Sequence, residues 1–265
     1  MMNHINVPVS RRDFIRAAGM AAAGLSTGNA LAQLPSAPEL REAAYYEQLG
    51  NNDIQCTLCP WQCIVKNGER GNCNVRENRN GRYYTLVYGQ PCAINNDPIE
   101  KKPFFHVYPR SKALSIATVG CNMQCSFCQN WDISQSKPES VRVQFQTPEA
   151  IVQMAMANKS RTIAYTYNEP TVFFEYMVDC AKAAKAASIG NVMVSNGFIN
   201  AKPMKELCSL MTAVKIDLKA FSQQFYGRVC HGRLQPVLDT LKLLADSGVW
   251  FEIVVLIIPT LNDSS

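Results

Sequence analysis

"ALSIATVGCNMQCSFCQNW", residues 113–131, decides how this chain is read. Its first eight residues are apolar or small, rich in β-branched positions, and end on Gly120, the pattern of a short strand buried on both faces that runs into a turn. Three cysteines then follow within eight positions, Cys121, Cys125 and Cys128, in a C-x-x-x-C-x-x-C spacing on the loop leaving that strand. Four further runs downstream have the same character: "RTIAYTY" from Arg161, "NVMVSNG" from Asn191, "AVKIDLKA" from Ala213 and "WFEIVVLIIP" from Trp250. Helical segments separate them. "TPEAIVQMAMANK" has Thr147 as its N-cap and Pro148 at the first helical position, and "TVFFEYMVDCAKAAKAA", "AKPMKELCSLM" and "LQPVLDTLKLLADSG" follow.

Strands alternating with helices, and apolar on both faces, predict an α/β fold: a parallel sheet covered by helices, a partial (β/α) barrel. Five strands are counted and no helix follows the fifth before Ser265, so a barrel truncated at its C-terminus is expected, its last apolar strand left as an edge. Chemistry in such folds sits at the carboxyl ends of the strands, which selects "GCNMQC", "YNEP", "SNGF", "DLKAF" and "PTLND".

Upstream the character changes. "PELREAAYYEQLG", residues 38–50, is expected to form a short helix with Pro38 leading in and Gly50 at the stop. A small Cys-rich module follows, "CTLCPWQCIVKNGERGNC", with turn residues at Pro60, Gly68 and Gly71 and too few apolar residues to hold itself together. "RYYTLVYGQPCAI" reads as strand, and the three prolines of "DPIEKKPFFHVYP" make that stretch an irregular crossing. The expected division is residues 1–32 as an export signal, 33–111 as the Cys-rich module and linker, and 112–265 as the barrel.

The chain of 265 residues, 47% apolar and 18% charged, supports one sizeable core with a smaller appended module. Its formal charge of +5 includes two units from Arg11, Arg12 and Arg16 against Asp13, and no basic stripe or stacking motif argues for nucleic acid. No segment has the ~20 apolar residues of a membrane span. "SRRDFIRAAGMAAAGLSTGNALAQ" resembles a twin-arginine export signal: a paired arginine, an apolar and small-residue run, then Ala30-Leu31-Ala32 as a cleavage pattern. That implies a periplasmic location; if the arginine pair is not used, the protein is cytoplasmic.

Eleven cysteines are clustered rather than scattered. Thiolates as close as Cys121, Cys125 and Cys128 converge on one soft metal centre, and a four-iron cubane held by three of them keeps one iron open for substrate. On spacing alone, a zinc site with a distant fourth ligand and disulfides formed after export stay open. Context adds a resemblance. "CNMQCSFC", with Phe127 just before the third cysteine, is similar to the cluster motif of radical S-adenosylmethionine enzymes. The resemblance implies a [4Fe-4S] cluster on Cys121, Cys125 and Cys128, whose open iron chelates S-adenosylmethionine, and a low-potential electron donor. Reductive cleavage of the sulfonium then gives a 5'-deoxyadenosyl radical that abstracts hydrogen.

The resemblance assigns further cofactor contacts. "YTYNEPT" matches the family's Glu-Pro motif, with Asn168 and Glu169 receiving the methionyl ammonium, a role for which a carboxylate is suited; Glu169 also reads as a helix N-terminal acid. Ser195 and Asn196 of "VSNGF" offer hydroxyl or carboxylate contacts, Asp217 and Lys219 of "KIDLKAF" stand at the fourth strand end, and Phe127 would lie near the adenine. No catalytic residue is assigned beyond the cluster ligands.

More narrowly, "CTLCPWQCIVKNGERGNCNVR", "DPIEKKPFFHVYP", "CNMQCSFCQNWDISQ", "TYNEPTVFFEY", "SNGFI", "KIDLKAF" and "IPTLND" together resemble the radical enzyme of the AmmeMemoRadiSam system, related to pyruvate formate-lyase activating enzymes. That implies hydrogen abstraction from a protein or small molecule, with Memo-type and Amme-type proteins as partners. Cys56, Cys59, Cys63 and Cys73 form a second candidate metal site, for zinc or for a fully ligated cluster, with two disulfides as the alternative. Cys180 and Cys208 read as core residues, Cys92 and Cys230 as extra ligands or buried thiols, and His106 and His231 as loop histidines. The rival reading is an exported iron-sulfur electron carrier that does not bind S-adenosylmethionine and leaves "YNEP" unexplained.

Overall fold

The structure is a computed structural model that describes residues 40–263. The expected export signal, residues 1–32, lies outside the described residues.

The first described segment is built from very short strands: β1 (Arg41–Glu42), β2 (Tyr46–Gln48), β3 (Ile54–Cys56), β4 (Ile64–Val65), β5 (Arg76–Arg79) and β6 (Arg82–Thr85). They make two antiparallel sheets, in the orders β1-β6-β5 and β2-β3-β4. In place of the helix expected over residues 38–50, the described residues of that stretch, 40–50, form β1 and β2. Tyr45 takes a left-handed φ of 59° between β1 and β2, Tyr46 pairs with Cys56, and the Ala44 N–H donates to Glu175 at 2.7 Å. These long-range partners outweigh a local helix preference worth only tenths of a kcal/mol per residue. The β5–β6 hairpin turns on Asn80-Gly81, both at positive φ, the dipeptide that a two-residue hairpin loop favours.

The main sheet has six strands: β7 (Ala93–Pro98), β8 (Lys112–Ala117), β9 (Thr162–Tyr165), β10 (Gly190–Ser195), β11 (Ala213–Asp217) and β12 (Trp250–Val254). Strand order follows chain order, β8 through β12 are parallel, and β7 adds an antiparallel strand beside β8. The five parallel strands are the five expected. The run from Arg82 to Ile94, read as one strand, is divided, because a loop holding Gly89 at φ 68° and Pro91 separates β6 from β7. Four helices of eight residues or more are described: α1 (Pro148–Ala157), α2 (Phe174–Ala186), α3 (Ala201–Cys208) and α4 (Leu234–Ser247). Thr147 caps α1 as expected, its Oγ1 accepting from the Ala150 N–H at 3.1 Å. The whole is a partial (β/α) barrel with parallel strands.

All four residues of β9 are buried, as a strand covered on both faces requires. Ile54, Val75 and Tyr83 of the small sheets and their loops belong to the same apolar cluster as Ile116, Ile163, Met193 and Ile216 of the main sheet. A buried Arg76–Glu175 pair ties β5 to the first turn of α2, with Arg76 Nη2 at 2.5 and 2.6 Å from the two carboxylate oxygens. Among the described residues no helix is long and apolar enough to cross a membrane.

Candidate active site

Gly120 makes the turn that the three cysteines need. It sits at φ 98°, and a Cβ there would stand 2.6 Å from Val75 Cγ1 and 3.1 Å from the Cys73 carbonyl oxygen, so only glycine fits. The cysteine loop is then held from outside. The Gln124 and Ser126 N–H groups donate to the carbonyls of Cys230 and Val229 at 3.1 and 2.8 Å, and the Gly120 N–H donates to Ile133 at 3.0 Å. The acceptors at Val229 and Cys230 end a π-helical turn, Tyr226–Cys230, an irregularity that frees carbonyls and recurs at functional sites.

Cys121, Cys125 and Cys128 line one cleft of about 320 Å³ at the carboxyl ends of the parallel strands. The lower bound of small-molecule pockets is about this size. Of the other predicted site residues, Phe127, Asn168, Ser195, Asn196, Asp217 and Lys219 line the same cleft. Glu169 does not. Its carboxylate is buried behind the wall, where Oε1 accepts from the Thr171 N–H, the Thr171 hydroxyl and the Ser195 hydroxyl at 3.0, 2.6 and 2.8 Å, and Oε2 accepts from the Asn196 N–H at 2.8 Å. Burial pushes this carboxyl up in spite of those four donors. Glu169 thus acts as an N-terminal acid of the helical turn Pro170–Phe173 and also as the anchor of two cleft residues.

Asn196 extends the network toward the thiols, its Nδ2 donating to Asn122 Oδ1 at 2.9 Å and lying 3.9 Å from Cys121 Sγ. Asn168 Nδ2 donates to the Thr118 carbonyl at 2.7 Å, while its Oδ1 is buried without a partner. At the end of β11, Asp217 bridges Lys215 at 2.8 Å and Lys219 at 3.1 Å. Burial works against the ionised Asp217, but Lys219 and Lys215 outweigh it and hold the carboxyl below its usual range. Lys219 is in turn held above its ordinary value, burial opposing its charge and Asp217 overriding that.

Lys215 is a cleft residue that sequence reading missed. The signal was present, since Lys215 and Asp217 fall at alternate positions of one strand, which sends both to one face. Cys230, read as an extra ligand or a buried thiol, is fully buried beside Cys125, whose Sγ lies 3.9 Å from the Cys230 carbonyl oxygen. His106 and His231 are exposed and lie off the cleft, and Cys180 is buried in α2 as expected.

The cleft fits an iron-sulfur cluster and a polar organic cofactor together. Three soft thiols in one lining are the donor set for a cubane with an open corner, and the unpartnered oxygen of Asn168 and the Lys215–Asp217–Lys219 group supply polar contacts of both signs. No disulfide joins any of the eleven cysteines. Cys56, Cys59, Cys63 and Cys73 are brought together around a second, smaller cavity, lined also by Trp61, Tyr83 and Asn122.

Residues 115–265 match the family described as the Radical SAM superfamily. The chain is 45% identical over 225 residues to the uncharacterized protein MJ0808 of Methanocaldococcus jannaschii, which covers 85% of this chain and 67% of that protein. Among solved structures it is similar to TYW1 with a lysine-pyruvate adduct bound, at 20% identity and a TM-score of 0.42, with 57% of each chain covered. It is also similar to Streptococcus suis SuiB bound to S-adenosylmethionine, at 16% identity and a TM-score of 0.39, over 50% of this chain and 29% of that one. With more than half its length matched to the family and its three clustered thiols opening on a cleft at the strand ends, the chain belongs to the Radical SAM superfamily.

Proposed function

We propose that this protein is a radical S-adenosylmethionine enzyme of the AmmeMemoRadiSam type, related to pyruvate formate-lyase activating enzymes, which generates a 5'-deoxyadenosyl radical to abstract hydrogen from a protein or small-molecule substrate. The observation that carries the reading is the convergence of Cys121, Cys125 and Cys128 on one cleft with polar groups from three other strand ends. A [4Fe-4S] cluster bound there would supply the electron that splits the sulfonium and the open iron that chelates the cofactor's methionyl end.

The chain's own residues have distinct parts in this. Cys121, Cys125 and Cys128 hold the cluster, and the π-helical turn fixes their loop. The Asn168 oxygen accepts from the methionyl ammonium, filling a buried acceptor that otherwise has no partner. Glu169 positions Ser195 and Asn196 from behind the wall rather than meeting the cofactor itself. Lys215 and Lys219, spaced by Asp217, offer cationic contacts to carboxylate or ribose hydroxyls. Phe127 lies on the cleft wall, 6.0 Å from the Phe225 ring, as an apolar face for the adenine. Memo-type and Amme-type partners and a low-potential electron donor belong to the same proposal.

Anaerobic reconstitution with iron and sulfide, then electron paramagnetic resonance of the reduced protein with and without S-adenosylmethionine, tests it. A signal that shifts with the cofactor, together with 5'-deoxyadenosine formation lost in Cys125→Ala, is the expected result. A cluster indifferent to the cofactor would overturn the reading in favour of an electron carrier.

A further inference from the structure

We propose that Cys56, Cys59, Cys63 and Cys73 hold a second iron-sulfur cluster, ligated by four thiolates, with the Tyr83 hydroxyl donating a hydrogen bond to one of its sulfur atoms. The fold brings the four thiols together from separate pieces of chain. Cys56 ends β3, and its N–H donates to the Cys63 carbonyl at 2.9 Å, closing the intervening loop on itself. Within that loop the Gln62 N–H donates to the Cys59 carbonyl at 3.1 Å, with Gln62 at φ 47°. Cys73 returns on a turn in which the Asn74 N–H donates to the Gly71 carbonyl at 2.9 Å. The Asn72 N–H points at Cys63 Sγ from 3.5 Å, the kind of backbone donor that tunes a ligating sulfur.

A second observation points independently to a ligand. Tyr83 is fully buried and lines this cavity, and its hydroxyl has no hydrogen-bond partner. A buried phenol is normally paired, because leaving its O–H without an acceptor forfeits its hydration for nothing. Leu58, Trp61 and Val172 are apolar, and none of the polar groups that also line the cavity, Asn72, Asn122 and Thr171 among them, pairs with the hydroxyl, whereas thiolate or sulfide sulfur of a bound cluster would accept from it. Gly71 leaves the hydroxyl room, since a Cβ there would stand 2.7 Å from the Tyr83 oxygen.

The spacing favours a cluster over zinc. Zinc draws thiolates to about 2.3 Å from one point, which places the sulfurs about 4 Å apart. Among the described residues no three Cys, His, Asp or Glu side chains meet around such a point; the four thiols surround a void instead. Cys121, Cys125 and Cys128 likewise line a cleft without meeting around one point, and theirs is the triad to which the proposed function assigns a cubane. A cubane, being a solid body with a thiolate at each corner, needs such separation. With four thiolates it has no open iron, so its chemistry is the gain and loss of single electrons from an external one-electron reductant. The site also abuts the cysteine loop of the main cleft: Asn122 lines the cavity and its carbonyl accepts from Trp61 Nε1–H at 2.6 Å.

This site does not depend on the reading of the cleft, and the test separates them. The full chain carrying Cys121→Ala, Cys125→Ala and Cys128→Ala is reconstituted anaerobically and assayed for iron, sulfide and zinc. About four irons and four sulfides per chain, with a reduced-cluster resonance unaffected by S-adenosylmethionine, are expected. Zinc in place of iron, or no metal in a chain whose circular dichroism is native, would overturn the proposal. Should the triple variant not fold, wild type is compared with Cys59→Ser/Cys63→Ser. A fall of about four irons per chain from wild type to variant supports the second cluster whatever the cleft holds, and unchanged iron defeats it. Tyr83→Phe should retain the iron of the triple variant and lower the midpoint potential of its cluster; an unchanged potential would remove the hydrogen bond from the proposal.

Discussion

Glu169 stands outside the cleft yet fixes two residues of its wall: its Oε1 accepts from the Ser195 hydroxyl and its Oε2 from the Asn196 N–H, each at 2.8 Å. Asn196 in turn reaches Asn122, the neighbour of Cys121, at 2.9 Å. One carboxylate at the end of β9 therefore couples the end of β10 to the cysteine loop after β8. In Glu169→Gln the amide NH₂ must face either the Asn196 N–H or the donors at Oε1, so one donor meets another. We expect a stability loss of about 1–3 kcal/mol by chemical denaturation. On the proposed function, affinity for S-adenosylmethionine should fall about tenfold while iron content stays that of wild type. Unchanged affinity would show that the anchored residues do not meet the cofactor.

Asn168 makes the complementary case, since its Oδ1 is buried without a hydrogen-bond partner. Asn168→Leu removes that acceptor together with the Nδ2 bond to Thr118, worth about 1 kcal/mol of stability. Losing an acceptor for a cation costs more, about 1.5–3 kcal/mol, so a ten- to hundredfold weaker binding of S-adenosylmethionine is expected. Equilibrium titration of the reconstituted protein reads it; a loss no greater in binding than in stability would count against the contact.

The parallel strands were legible because burial on both faces writes continuous apolar runs, and "RTIAYTY" or "AVKIDLKA" have no other economical reading. The cysteine loop was placed by the Gly120 stop and the spacing of Cys121, Cys125 and Cys128, but its chemistry was not, since zinc and disulfides stayed open until the family resemblance was added. Lys215 was passed over because a lysine inside an apolar strand looks like an ordinary surface residue until its partner, Asp217, is seen 2.8 Å away. Residues 41–48 were misread for a different reason: Glu42, Ala43, Ala44 and Glu47 favour a helix locally, and what prevents it lies elsewhere in the chain, at Cys56 and Glu175. The place of Glu169 behind the wall was equally hidden, since its four donors come from two segments that sequence does not join.

Gly120 links the two groups of cysteines sterically. In Gly120→Ala the new methyl would meet Val75 and the carbonyl of Cys73 from a backbone φ of 98° that alanine resists. Part of the cost is backbone strain of roughly 1–2 kcal/mol, and the rest is displacement of the loop carrying Cys121. Iron content after reconstitution should drop and the melting temperature should fall. A variant with native iron content would mean that the loop accommodates the methyl by shifting Val75 alone.

The Arg76–Glu175 pair joins the small sheets to the barrel, and its energetics can be separated from its function. Arg76 is 1% exposed and Glu175 6%, and the guanidinium also donates to the Ala44 carbonyl at 3.1 Å. A buried pair gains little net stability over apolar residues of the same volume, but removing one partner strands the other charge. Arg76→Met should therefore destabilise by about 3–5 kcal/mol, and Arg76→Met/Glu175→Leu should recover part of that loss. Recovery will be incomplete, because Glu175 also accepts from the Ala44 N–H and its replacement leaves that donor unpaired. Denaturant melts of the two variants decide it: a double variant no more stable than Arg76→Met would mean that the charge stranded on Glu175 is not what destabilises the single variant, and that Glu175 holds the Cys-rich segment through its bond to Ala44.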